Sequence, residues 1–377
     1  MTLFDLIDSA GGGAFDALAE RLRAEKRYPE LFELRTMAVR SRLGLPLLVT
    51  QSPSGLAPDA QREYDEACLG AAREVGEMYL ADGDIPRAWP YFRAIGEPEP
   101  VARAIEHETA REGIEAVLQI AYYEGANPRK GLELILAHHG ICRAITCFDH
   151  YPSEDGRAES LRMLVDTLYG ELAANLRRAI ERHEGAAPEG SVRELIAGRD
   201  WLFGEYAYYV DTSHVGSVLR HALDAEDPAT LERAVELTEY GKRLSHNFQF
   251  KGDAPFEDLF TDSGLYLEAL LGRRQEEAIA HFRAKLDGYE GIAAAVGAEA
   301  LVRLLVRLDR PAEAIPIARQ HLTGMPASQL RCPPVAVLCQ MAGDAAQLAE
   351  VSREAGDPVG YLAARLSQNV IDTSTSN

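Results

Sequence analysis

The sequence predicts an all-α protein of about 18–20 helices of common globular length. Three observations carry this. Apolar residues recur at three- and four-residue steps along nearly the whole 377-residue chain, the signature of one buried helix face. Strand-like alternation is almost absent. Helix breakers fall between the periodic runs at short intervals, so successive helices turn back on one another. Antiparallel hairpins in series stack side by side as an α-solenoid.

In chain order, Phe15, Leu18, Ala19 and Leu22 form a first apolar face, and Leu31, Leu34, Met37 and Ala38 a second. Gly44, Pro46 and the stretch Pro53 to Pro58 separate these from the next helices. Further breaks come at Gly83–Asp84, at Asn127–Pro128 and at Gly140. Asn127 offers a capping side chain before a proline at the first helical position. Leu161, Leu164, Val165, Leu168 and Leu172 lie in a long helix over 155–183, closed by the linker GAAPEG at 185–190. Ser191 with Glu194 is a capping box that opens the next helix. Pro228, Gly272, Pro311, Gly343 and Asp357–Pro358 punctuate the rest. After Leu366 the tail SQNVIDTSTSN is polar and is expected to be disordered.

One stretch has a finer pattern. Between Glu74 and Pro100, Gly76 is followed by Tyr79, Gly83, Ala88, Phe92 and Pro100. This resembles the tetratricopeptide repeat, in which small residues let two helices approach and aromatics fill the space between hairpins. Tyr266, Gly272, Ala278 and Phe282 match in part near 265–286, and Ala314, Ala318 and Pro326 match in part within 301–326. The intervals are irregular, so the resemblance implies a degenerate helical-hairpin solenoid. It brings no ligand with it. Some repeats of that family grip acidic peptide tails through basic grooves, whereas the corresponding exposed positions here include Arg73, Glu74 and Glu77.

The pattern divides the chain into N-terminal hairpins at 1–137, a His- and aromatic-rich segment at 138–262, C-terminal hairpins at 263–366 and the tail at 367–377, read as one continuous solenoid. Acidic residues outnumber basic ones by 59 to 39, a formal charge of −20. Such a surface repels a phosphate backbone, and nucleic acid is excluded as a partner. The five cysteines, Cys68, Cys142, Cys147, Cys332 and Cys339, are too sparse for a disulfide framework. The first residues, MTLFDLIDSAGGG, do not read as a signal peptide, and no window has the length of a membrane span. A soluble cytoplasmic protein is the expectation.

Chemistry has three places to reside. In HHGICRAITCFDH, positions 138–150, His139, Cys142, Cys147 and His150 are legal zinc ligands. On a helix over 141–149, however, the two cysteines lie about 140° apart and read as core fillers. His138 and His139 suit the C-terminal end of a helix dipole. In YAYYVDTSHVGSVLRHALD, positions 206–224, Asp211 or Thr212 caps a helix packed through Val215, Val218, Leu219 and Ala222. His214, Ser217 and His221 share its flank, and Asp211 is placed to orient His214. His214 and His221 stand about 10 Å apart along the axis, too far to share one ion. In SHNFQFKGDAPFEDLFTDSG, positions 245–264, His246, Asp253, Glu257, Asp258 and Asp262 lie in a long connection. There Asp253 or Ala254, before Pro255, is expected to start the next helix. Trp201, Phe203, Tyr206, Tyr208 and Tyr209 form an aromatic cluster in the same central segment.

Two functions follow. The first is a non-enzymatic interaction module that binds a peptide or protein segment in a concave groove, a segment of basic character given the charge. The alternative is a metal-dependent enzyme or small-molecule-binding protein. In it His139, His214 and His246, with Asp211 or Glu205, converge on a divalent metal such as zinc. No phosphate loop, dinucleotide fingerprint, HExxH or GxSxG is present to name a reaction.

Overall fold

The periodic segments are helices in the computed structural model, which describes residues 3–47, 53, 55–186, 188–249 and 251–374. Ala187 of the linker, Phe250 of the third chemical segment, Ser54 of the Pro53–Pro58 stretch and residues 48–52 before it lie outside the described residues. Twenty α-helices are found among the described residues, with no strand and one isolated bridge between Lys251 and Asp258. The chain resolves into two units, Met1–Ser160 and Leu161–Asn377. Their border falls inside a long helix, not at the fading repeat pattern near residue 138.

The first unit contains α1 (Leu3–Ala10), α2 (Ala14–Ala24), α3 (Tyr28–Arg42), α4 (Pro58–Ala81), α5 (Ile85–Ile95), α6 (Glu99–Glu106), α7 (Glu115–Leu118), α8 (Pro128–His139) and α9 (Ile141–Phe148). Helices adjacent in sequence pack together, α3 on α4 and α4 on α5 most extensively. The turn into α5 needs Gly83, whose φ is +75°, and Asp84, whose carboxylate accepts from the Arg87 amide at 3.1 Å. Across the hairpin, a Cβ added to Gly76 would sit 2.6 Å from the Phe92 ring, and Ala88 and Phe92 are fully buried. Glu74 binds Arg35 at 2.8 Å and Arg23 at 2.5 Å, tying α4 to α2 and α3. A π-turn over Gln119–Tyr123 extends α7. The Tyr122 backbone lies where a side chain on Gly131 of α8 would go. Asn127 caps α8 as expected, accepting from the Lys130 amide at 3.1 Å.

Helix α10 (Arg157–Glu184) begins in the first unit and runs through the second. The second unit continues with α11 (Val192–Ile196), α12 (Thr212–Ala222), α13 (Pro228–Arg243), α14 (Leu259–Leu270), α15 (Gln275–Asp287), α16 (Gly291–Arg307), α17 (Pro311–His321), α18 (Val335–Met341), α19 (Ala345–Glu354) and α20 (Pro358–Ser374). The capping box of Ser191 and Glu194 opens α11. The backbone of α20 is helical into the polar tail as far as Ser374, and 375–377 lie outside the described residues.

The small-residue relation seen at Gly76 recurs here without any repeat signature to announce it. A Cβ on Gly241 of α13 would overlap the Phe260 ring of α14, and one on Gly264 of α14 would sit 2.7 Å from Thr238 Oγ1. Both helices therefore approach through glycine. Tyr266 and Phe282 are buried and meet edge to face at 5.7 Å.

The connection into α14 corrects one expectation. Pro255 does not start the helix; Asp258 is the cap, accepting from the Thr261 amide at 3.1 Å. The chain before it is held down instead by charge. Asp262 is 1% exposed and accepts from Lys285 Nζ at 2.6 Å, contacts His281 Nε2 at 2.7 Å and accepts from the Asp258 amide at 2.9 Å. Lys285 also donates to Glu257 at 2.6 Å and to the Pro255 carbonyl at 2.5 Å. A buried carboxylate is tolerable only when so satisfied.

Two predictions follow from this packing. Gly241→Ala is expected to cost roughly 1–2 kcal/mol, because overpacking outweighs the helix propensity gained. Gly170→Ala, exposed on α10 with nothing within 4 Å of its Cβ position, is expected to gain about 0.5–1 kcal/mol. Thermal melting of the two variants should therefore shift in opposite directions. The second concerns pH. The Arg35 guanidinium, with Arg23 beyond it, holds the Glu74 carboxyl below its ordinary range despite partial burial. A depressed carboxylate stabilises the fold above its unfolded pKa, and that contribution is lost as pH falls through the folded value. Denaturant midpoints taken between about pH 5 and pH 3 should fall less steeply in Glu74→Gln than in the parent.

Candidate functional site

The C-terminal half of α10 places Asn175, Arg178, Glu181 and Arg182 on one face, since residues three, four and seven apart line the same side. Opposite them runs the connection from α11 to α12, which begins with a 3-10 turn at Asp200–Leu202. Its backbone is pinned at one residue. The Tyr209 carbonyl accepts from Asn175 Nδ2 at 2.6 Å, and the Tyr209 amide donates to the Tyr240 hydroxyl at 2.9 Å. Burial pushes the Tyr240 hydroxyl up to about 12, so it remains a neutral acceptor. With the backbone fixed, Tyr206 and Tyr208 project outward, 77% and 55% exposed. The Tyr208 ring rests 5.1 Å from that of Phe248.

Between helix and connection is a cleft of about 440 Å³ lined by Asn175, Arg178, Glu181, Arg182, Tyr208 and Tyr209. Arg178 donates to the Asn175 side chain at 2.6 Å and to the Ala174 carbonyl at 3.4 Å. Arg182 donates to the Arg178 carbonyl at 3.2 Å. Among the described residues neither guanidinium has a carboxylate partner, while Arg193 on neighbouring α11 holds Glu239 at 2.7 Å and Glu232 at 2.9 Å. Burial pushes the Tyr209 hydroxyl up, against the opposing charge of Arg182. At the end of α10 the half-exposed Trp201 stacks on His183, ring centres 4.0 Å apart.

A second cleft, of about 280 Å³, lies among α2, α3 and α4 in the first unit. Three of its four charged lining residues are engaged: Arg35 pairs with Glu74 at 2.8 Å, and Arg42 lies 3.5 Å from Glu63. Asp16 and small or apolar side chains such as Ala38, Ala67 and Gly70 also line it.

The metal candidates each have a local setting of their own. His139 ends α8, its ring 4.6 Å from that of His138, which lies 3.5 Å from Glu115. Cys142 is exposed and Cys147 buried, on separate sides of α9 as their spacing implies. Asp211 is the cap of α12, its Oδ1 accepting from the Ser213 amide at 2.9 Å and hydroxyl at 2.6 Å. His214 follows within α12 beside the buried Val215 and Val218, and His246 opens a separate, exposed 3-10 turn. Among the described residues no three His, Cys, Asp or Glu side chains gather as a metal ion requires.

The tyrosine cluster was legible in the sequence; the arginines facing it were not singled out. Their readable sign is Arg178 followed by Arg182, a like-charge pair one turn apart that an isolated helix disfavours. No protein-family model matches the chain, and no curated protein sequence matches it. Among the described residues no helix is long and apolar enough to cross a membrane.

The capping role of Asp211 is separable from a metal role. Asp211→Ala is expected to lower stability by about 0.5–2 kcal/mol through loss of the cap. The melting temperature of the parent should be the same with and without a strong chelator.

Proposed function

We propose that this chain is a non-enzymatic helical scaffold, a degenerate tetratricopeptide-like solenoid, that holds a peptide or protein segment. The occupied surface is the cleft between α10 and residues 206–209. The observation that carries the reading is the meeting there of the exposed Tyr208 and the half-buried Tyr209 with guanidiniums that have no carboxylate partner among the described residues. Tyrosine and arginine are the residues on which interface energy concentrates, because each combines a broad apolar face with directional donors. The pinned backbone at Tyr209 supports the reading too, since an ordered surface loses less freedom on binding.

The enzyme alternative has less behind it. The partly exposed His281, held by the buried Asp262, has the form of a base with its orienting carboxylate. That carboxylate is already engaged by Lys285 and the Asp258 amide, and among the described residues no hydroxyl or thiol is hydrogen bonded to His281.

Selection of a random twelve-residue peptide display library on the purified full chain tests the scaffold reading. Peptides should be enriched, and Tyr208→Ala should weaken their binding tenfold or more, about 1.4 kcal/mol. Absence of enrichment, or affinity indifferent to Tyr208→Ala, would overturn it.

A further inference from the structure

The chain as a whole is strongly acidic, and from that the sequence suggests a basic partner. The cleft has the opposite local sign. Arg178 and Arg182 stand one helical turn apart, about 6 Å along the axis, and both line the cleft. Asn175 accepts from Arg178 and so restrains that guanidinium. The planar fork of arginine matches a carboxylate in two-point hydrogen bonding, and such charge-assisted bonds are stronger than neutral ones. Within an acidic protein, two adjacent arginines without carboxylate partners among the described residues give the cleft a local positive charge.

The cleft also contains one negative group, Glu181, on the same lining. Against it stand the two guanidiniums, so the balance of charge on the lining is positive. The formal charge of −20 on the whole chain opposes the densely charged nucleic-acid backbone. Beside the arginines, the Tyr208 ring is 55% exposed and offers an apolar face to a neighbouring side chain. In an extended peptide, alternate side chains point the same way, about 6.5–7 Å apart, so one segment can present an acid and an apolar residue to this wall together.

We infer that the cleft selects an acidic peptide segment, with an Asp or Glu carboxylate seated on Arg178 and Arg182 and an apolar side chain two positions away against Tyr208. This rests on the scaffold reading above and specifies its ligand. Charge complementarity at the cleft, not the charge of the whole chain, sets the preference.

The test uses labelled twelve-residue synthetic peptides in two pools of equal apolar content, one carrying Asp and Glu at its charged positions and the other Lys and Arg. Fluorescence polarisation is measured on the full chain, on Arg178→Glu/Arg182→Glu and on Tyr208→Ala. All three substituted side chains are exposed, and circular dichroism verifies that each variant keeps its helices. The parent should bind the acidic pool at least tenfold more tightly than the basic pool, and the double charge reversal should invert that order. Tyr208→Ala should weaken the acidic pool while leaving the order intact. Equal binding of the pools, or a preference unchanged by charge reversal, would overturn the inference while leaving the scaffold reading in place if Tyr208→Ala still weakens both. Failure of both pools to bind would overturn both. Arginine-dependent binding of a labelled single-stranded twelve-mer of thymidine in preference to the acidic pool would overturn the inference in favour of phosphate recognition.

Discussion

The constraint on which most of this structure depends is the distance between consecutive helices. Where two helices meet through glycine, an aromatic ring on one occupies the space a Cβ on the other would need: Phe92 against Gly76 and Phe260 against Gly241; Tyr289, in the connection before α16, does the same against Gly297. Helix axes can then approach closely while the ring fills the interface to crystal-like density. The arrangement leaves little latitude for exchange, because a single methyl group at the glycine collides with a ring whose neighbours are packed. Phe92 and Phe260, both fully buried, are each set against an absent side chain in this way.

Charge forms the second level of organisation. The acidic excess is not spread evenly, because carboxylates at helix junctions are drawn inward by arginine and lysine. Arg193 gathers Glu232 and Glu239, two turns apart on α13, while Glu236 between them takes the Tyr169 hydroxyl at 2.8 Å and the Arg193 amide at 3.0 Å. Asp262 does the same for the connection into α14. These junctions use basic residues structurally. Arg178 and Arg182 lie outside such junctions and line one cleft together.

Much of the fold was legible in the sequence. Periodicity, the capping signals at Asn127, Ser191 and Asp211, and the glycine breaks located helices to within a few residues, because each is a local property of the chain. The start of α14 was misread because proline at a first helical position is a local preference. The tertiary pull of Lys285 on 255–262 is not local and has no mark near Pro255. The Gly241–Phe260 contact escaped for a similar reason: a glycine inside a helix is read as a weakness unless its facing ring is known. At the candidate site the aromatics stood out by composition, whereas the arginines resembled any solvated face until the fold showed which carboxylates were elsewhere engaged.

The attachment of the 206–209 segment has one further consequence. Its position is fixed by main-chain atoms of Tyr209, through an amide side chain on one side and a buried phenol on the other. The side chains of Tyr206 and Tyr208 take no part in that attachment. Exposed surface and attachment therefore reside in different atoms of the same segment. Drift at positions 206 and 208 can alter the exposed surface with little effect on the attachment, whereas drift at Asn175 or Tyr240 would disturb the platform itself.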